Sequence, residues 1–129
     1  MKHLLRALTL ICCLGLTAGA SAELAGALKT IRAVGPEGQG NAAASTAWKE
    51  LSQGNAATLL QVLEAMDGAN DYACNWLRAA VETIASRELS AGGKLPLPDL
   101  GRFLMETRHH PRARRLAFEC VSRAEFKAC

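Results

Sequence analysis

Aromatic and β-branched side chains are scarce in this chain of 129 residues, which carries 2 Trp, 1 Tyr and 3 Phe. Sheets use those residue types to fill their pleated faces, so the shortage argues against β structure. Long apolar runs are missing too. The longest, Ala7 to Leu16, is softened only by Thr9 and Gly15 and falls short of the roughly 20 residues that span a bilayer. There is no C-x-x-C, no C-x-x-C-H and no G-x-S-x-G, which removes common redox, haem-attachment and hydrolase signatures. Charge of one sign is also lacking. A formal net charge of +3 makes no general case for nucleic acid or an anionic membrane as partner. What is there in quantity is alanine, the strongest helix former, so the expected fold class is all-α.

The N-terminus reads as an export signal. Lys2 and Arg6 form a positive region, Ala7 to Leu16 an apolar one, and Ala20 and Ala22 an A-x-A cleavage site. Residues 1–22 are therefore expected to be a signal peptide, with Glu23 the first mature residue. The protein is then exported to the periplasm or the extracellular space, with no membrane association after cleavage. Loss of Lys2 and Arg6 lowers the formal charge to +1. Cys12 and Cys13 do not make a lipobox, since Ile11 and Cys12 stand where a small residue should precede the modified cysteine. Three cysteines remain, Cys74, Cys120 and Cys129. An odd number cannot all pair within one chain, so no disulfide framework is expected even in an oxidising compartment.

Apolar periodicity marks six helical segments. The first carries Leu24, Ala27, Leu28, Ile31 and Val34 and stops at Gly35-Pro36; the second, capped by Asn41, carries Ala44, Ala47, Trp48 and Leu51. The third follows Asn55 with Leu59, Val62, Leu63 and Met66. The fourth is the longest: Ala73, Trp76, Leu77, Ala80, Val81 and Ile84 form one stripe over three turns, started by Asn70 or Asp71 and ended by Gly92-Gly93. Trp76 and Leu77 are expected to be buried at its centre. The fifth holds Leu100, Phe103, Leu104 and Thr107, and the sixth runs from Pro111 through Ala113, Leu116, Ala117, Cys120, Val121 and Ala124.

The fourth and sixth stripes superimpose at an offset of 40 residues, and the third and fifth at 41. Two helical hairpins at such a period are the signature of HEAT or armadillo-like solenoids. The stretch Thr107-Arg-His-His-Pro-Arg-Ala-Arg-Arg-Leu-Ala-Phe-Glu-Cys-Val121 resembles the second half of a HEAT repeat, in which a turn with Asp and Pro enters an Arg-containing helix. His110 stands where that family usually has Asp. The resemblance covers roughly residues 55–125 and extends to the N-terminal part of exported bacterial proteins in which further HEAT-type repeats follow. It implies a short α-solenoid of about three hairpins after the signal peptide. Residues 23–52 would be a divergent N-terminal helical pair, 53–125 two HEAT-like hairpins and 126–129 a tail.

Candidate chemistry is thin. Gly35 to Gly40 lacks the strand and the Lys-Ser/Thr pair of a phosphate loop. His109 and His110 are adjacent, a spacing that points side chains apart rather than onto one metal; His110 reads as the N-cap before Pro111. Cys74 reads as a structural thiol on the flank of its stripe. Arg108, Arg112, Arg114 and Arg115 cluster where a helix begins, and the macrodipole disfavours cations there. They are the candidate contact for a partner or an anion, against a solvated face in which Glu119 neutralises Arg115 and Arg123. Phe118 and Phe126 lie off the main stripe and suit contact at the end of a repeat. No residue set meets the needs of a catalytic or metal site, and no cofactor is expected. The expected function is a non-catalytic scaffold that binds another protein. The alternatives are the leading segment of a larger exported protein, with further repeats or an activity beyond Cys129, and a small anion- or ligand-binding domain using the arginines.

Overall fold

The protein is all-helical in a computed structural model that describes residues 19–129, with no strand among them. Helix α1 covers residues 19–32. A 3-10 turn at Pro36–Gly38 leads to α2 (Asn41–Leu51), followed by α3 (Thr58–Glu64), α4 (Asp71–Ser90), α5 (Leu97–Met105) and α6 (Pro111–Ala128). The expected signal peptide falls mostly outside the described residues, except that positions 19–22 form the first turn of α1. Those four residues are exposed, and every α1 side chain that joins the core, from Leu24 through Ala27, Leu28 and Ile31, lies beyond them.

Helix ends follow local chemistry. The Asn70 side chain accepts from the Ala73 amide and caps α4, and His110 Nδ1 accepts from the Arg112 amide at 3.1 Å and caps α6, as its place before Pro111 suggests. Gly92, at φ +77°, ends α4 in the left-handed region that favours glycine. Several boundaries differ from expectation, and Val34, Met66 and Thr107, read as parts of the first, third and fifth helices, lie just past their ends. Asn41 opens α2 rather than capping it; Gly40 occupies the cap at φ +79°. Asn55 turns the chain ahead of α3 by accepting from the Ala57 amide at 3.0 Å. The residues expected as a tail continue α6 as far as Ala128.

The core runs through every helix. Ala73, Leu77, Ala80, Val81 and Ile84 of α4 are fully buried, joined by Cys74 and Ala85. Trp76 is only half-buried, contrary to its expected central place. Helix α4 lies against α2, α3 and α6. Its buried face is broadened by small residues that let neighbouring helices approach, and the largest side chain of the stripe is left at its margin.

Hydrogen bonds tie the helices at regular separations. Between α4 and α6 they join Asp71 to Arg112, Arg78 to Glu119, Ser86 to Arg123 and Leu89 to Lys127, pairs 41, 41, 37 and 38 residues apart. The two helices therefore run side by side in the same direction, near the offset at which their stripes superimpose. Earlier links are closer in sequence: Asn70 donates to the Val34 carbonyl 36 residues back, and Arg87 reaches the Ser52 carbonyl 35 back.

Candidate functional site

The four arginines do not converge. Arg108 Nε meets Glu106 Oε2 at 2.6 Å; Arg112 reaches across to Asp71 at 3.3 Å and Asn75 at 2.5 Å. Arg114 Nε donates to the Leu104 carbonyl at 2.8 Å and fastens α6 to the end of α5. Arg115 pairs with Glu119 Oε1 at 3.3 Å, while the other oxygen of Glu119 takes Arg78 at 3.2 Å. Glu119 thus bridges α4 and α6 and does not hold Arg123, whose guanidinium bonds Ser86 Oγ. Each of the four has a partner within the fold, and the four guanidinium groups are drawn to different partners rather than to one site.

The most ordered polar constellation lies between the two interhelical turns and was missed in the sequence. His109, 7% exposed, stacks on Phe103 with ring centroids 3.9 Å apart and planes 12° from parallel. Its Nδ1 stands 2.6 Å from Asp67 Oδ2 in the α3–α4 turn, and its Nε2 stands 3.4 Å from Glu106 Oε2. The other oxygen of Asp67 accepts the His110 amide at 2.7 Å. Arg32, at the end of α1, donates to the Asp67 carbonyl at 3.1 Å. The α3–α4 turn therefore gathers the end of α1 and the α5–α6 turn. Partial burial opposes ionisation of Asp67, but the His109 hydrogen bond, the His110 amide and the field of both imidazoles outweigh it, and its carboxyl lies below the ordinary value. The Arg108 hydrogen bond lowers Glu106 likewise. The signal available in the sequence was the equivalence of the two turns; the pairing itself is 42 residues long and carries no local motif.

The three cysteines among the described residues are thiols. Cys74 and Cys120 are buried and Cys129 is exposed. Burial raises the Cys74 thiol and pushes Cys120 up to about 11, which makes both poor nucleophiles. Cys74 and Cys120 are not bridged to each other.

Apolar exposure is uneven. Phe118 is 57% exposed, Phe126 87% and Met105 73%, all on the α5–α6 hairpin. At the 40-residue offset Phe118 corresponds to Arg78 and Phe126 to Ser86, two of the α4 side chains that bond α6. No helix of the described residues is long and apolar enough to cross a membrane, and no group of three His, Cys, Asp or Glu among them gathers as a metal site. Comparison with protein-family models, with curated proteins and with solved structures finds no match.

Proposed function

We infer that the chain is an exported, non-catalytic helical-repeat scaffold of HEAT-like arrangement that docks a protein partner on the open edge of its α5–α6 hairpin. The observation that carries this reading is Phe118. It occupies on α6 the register position that α4 uses to hold α6, yet it is 57% exposed. A phenylalanine facing water at an edge built for helix packing suits a helical partner, or a further repeat, in the manner of stacked hairpins. The near-constant separation of the α4–α6 links supports the repeat reading. The non-catalytic reading draws on His109: both ring nitrogens face carboxylate oxygens, so neither is placed to activate a nucleophile. Export is supported by Lys2, Arg6, the apolar run and the exposed Ala22–Glu23 bond, whose cleavage would leave the core contacts of α1 in place.

The test places a photo-crosslinking phenylalanine analogue at position 118 and, as control, at Lys29 in the exporting cell. A discrete adduct from position 118 alone, whose partner competes with it when purified, supports the reading. Equal labelling from both positions, or none, removes it. N-terminal sequencing of the exported chain should begin at Glu23; a start at Cys12 or Cys13 would show lipidation instead.

A further inference from the structure

We propose that the C-terminal ends of α4 and α6 form a binding site for an anionic amphiphile, a carboxylate carried on an alkyl chain. Two recesses meet there. One is a groove of about 660 Å³, lined by Ser86 and Ser90 of α4 and by Ser122, Arg123 and Phe126 of α6. The other, of about 560 Å³, lies where the α4–α5 connection passes the last turns of α6, and its walls include Leu95, Leu97, Pro98, Ala124 and Ala128. Leu89 and Lys127 border both, so the polar groove and the apolar recess adjoin along one wall. Sites for small molecules ordinarily enclose about 300 to 1,000 Å³ and set a few polar groups among apolar walls.

Charge selects the head group. Arg112 and Arg115, nearer the start of α6, face carboxylates. Arg123 and Lys127 bond only a neutral hydroxyl, on Ser86, and the Leu89 carbonyl. No carboxylate lines either recess. Glu88, beside Gly93, is turned toward Arg87 at 3.7 Å. Glu125 stands two residues from Arg123, a turn of about 200° that carries it to the far side of α6. Lys127 offsets the negative C-terminal end of α4, and the charge of Arg123 is left without a counter-ion. A guanidinium has five N–H donors and an ammonium three, so their single bonds to Ser86 and Leu89 leave donors free for a carboxylate.

The second recess selects the chain. Leu95 is buried, while Leu89 and Leu97 are half-buried, so an alkyl chain laid over them removes apolar surface from water. The four-carbon stem of Lys127 belongs to the shared wall and gives the chain an apolar path from groove to recess. A bare anion uses only the first recess and a neutral alkane only the second; an anionic amphiphile uses both. Arg123 lies about 140° around α6 from Phe118, so this site stands or falls separately from the docking edge.

An NMR titration of the full 15N-labelled chain tests the site with three probes: decanoate, acetate for the head group alone, and decyltrimethylammonium for the chain with the opposite charge. The amphiphiles are kept below their micelle concentrations. Decanoate should shift the amides of Ser90, Leu95, Leu97, Ser122 and Arg123 along one saturable curve. Acetate should not saturate over the same range, and decyltrimethylammonium should bind about tenfold more weakly or worse. Replacing two exposed cations together, Arg123→Gln and Lys127→Gln, should weaken decanoate by about tenfold while the amides of α1 and α3 keep their positions. The absence of a saturable decanoate shift overturns the site, as does equal affinity for the two amphiphiles or an unchanged affinity in the double variant. Shifts centred on Met105 and Phe118 instead would mark adsorption to the exposed edge and overturn it too, with the docking reading left to its crosslinking test.

Discussion

The α3–α4 and α5–α6 hairpins carry apolar stripes in the same register, yet one is covered on both flanks and the other on one. Val81 is fully buried and its counterpart Val121 only half; Cys74 is buried where α6 has Arg114, and Ala85 where it has Glu125. The same helix pattern thus builds an interior element when flanked twice and an edge element when flanked once. At Val81 and Val121, where the residue type is the same, the helices packed alongside decide how deeply the side chain is buried. The comparison also reverses at one position: Trp76 is half-buried while its counterpart Leu116 is buried, whereas Leu77 and its counterpart Ala117 are buried alike.

The largest expected effect probes that reversal. Leu77→Ala and Leu116→Ala should each cost about 2 to 5 kcal/mol, as buried leucines do. Trp76→Ala should cost less than the roughly 3 to 5 kcal/mol typical of a fully buried aromatic, because the ring packs at the margin of the core rather than inside it. Urea midpoints for the three variants check the order; Trp76→Ala as the most damaging of them would contradict the placement of α4.

Next in size is an alkaline effect centred on Cys120. Its folded pKa of about 11 exceeds the ordinary 9.0. A raised value means that stability is fully present below pH 9 and falls as pH rises from there through 11. A shift of that order corresponds to roughly 2 to 3 kcal/mol. Cys120→Ala should lose less stability than wild type between those pH values, after its own packing cost is subtracted. Alkylation followed by peptide mapping at neutral pH should modify Cys129 and leave Cys74 and Cys120 protected; a linked Cys74–Cys120 peptide would break both the register and the comparison.

Much of the architecture was legible because it is written in local periodicity. The six helical segments, the Asn70 and His110 caps and the Gly92 stop all follow from residues within a turn of one another. What was not legible depends on neighbours far along the chain. Trp76 looked central because a stripe drawn from one helix cannot show that α4 is flanked by α2 on one side and α6 on the other. The arginines looked like a cluster because their partners Asp71, Asn75 and the Leu104 carbonyl are 41, 37 and 10 residues away. His109 looked idle because Asp67 is 42 residues upstream.

A smaller effect separates the two turns. Asp67→Asn keeps the shape but surrenders the charge-assisted contact to His109, and should cost about 1 kcal/mol after discount for its partial exposure. The sign with pH follows from its lowered value: the contribution is present above the ordinary 3.8 and is lost as pH falls through the depressed folded value. Wild type should therefore lose more stability than Asp67→Asn in acid titrations taken below about pH 4. Parallel curves for the two proteins would mean that the turn is held by backbone contacts alone.

The smallest effect on stability is the one that bears most on function. Phe118 faces water for more than half its surface, so Phe118→Ser removes little packing from the monomer and should shift its stability by no more than about 0.5 kcal/mol. The equivalent position on α4 behaves differently: Arg78→Ser takes away the link to Glu119 at 3.2 Å and the i,i+4 pair with Glu82 at 2.8 Å. Both are partly exposed ion pairs, worth about 0.2 to 1 kcal/mol apiece. Phe118→Ser should nonetheless abolish crosslinking from a probe moved to the adjacent exposed position Arg115, whereas Arg78→Ser should leave it intact. Stability measured by urea midpoint and adduct yield measured on the same preparations give two independent axes. If Phe118→Ser lowered the midpoint as far as a core substitution does, its ring would be serving the protein's own interior and the open edge would not be a docking surface.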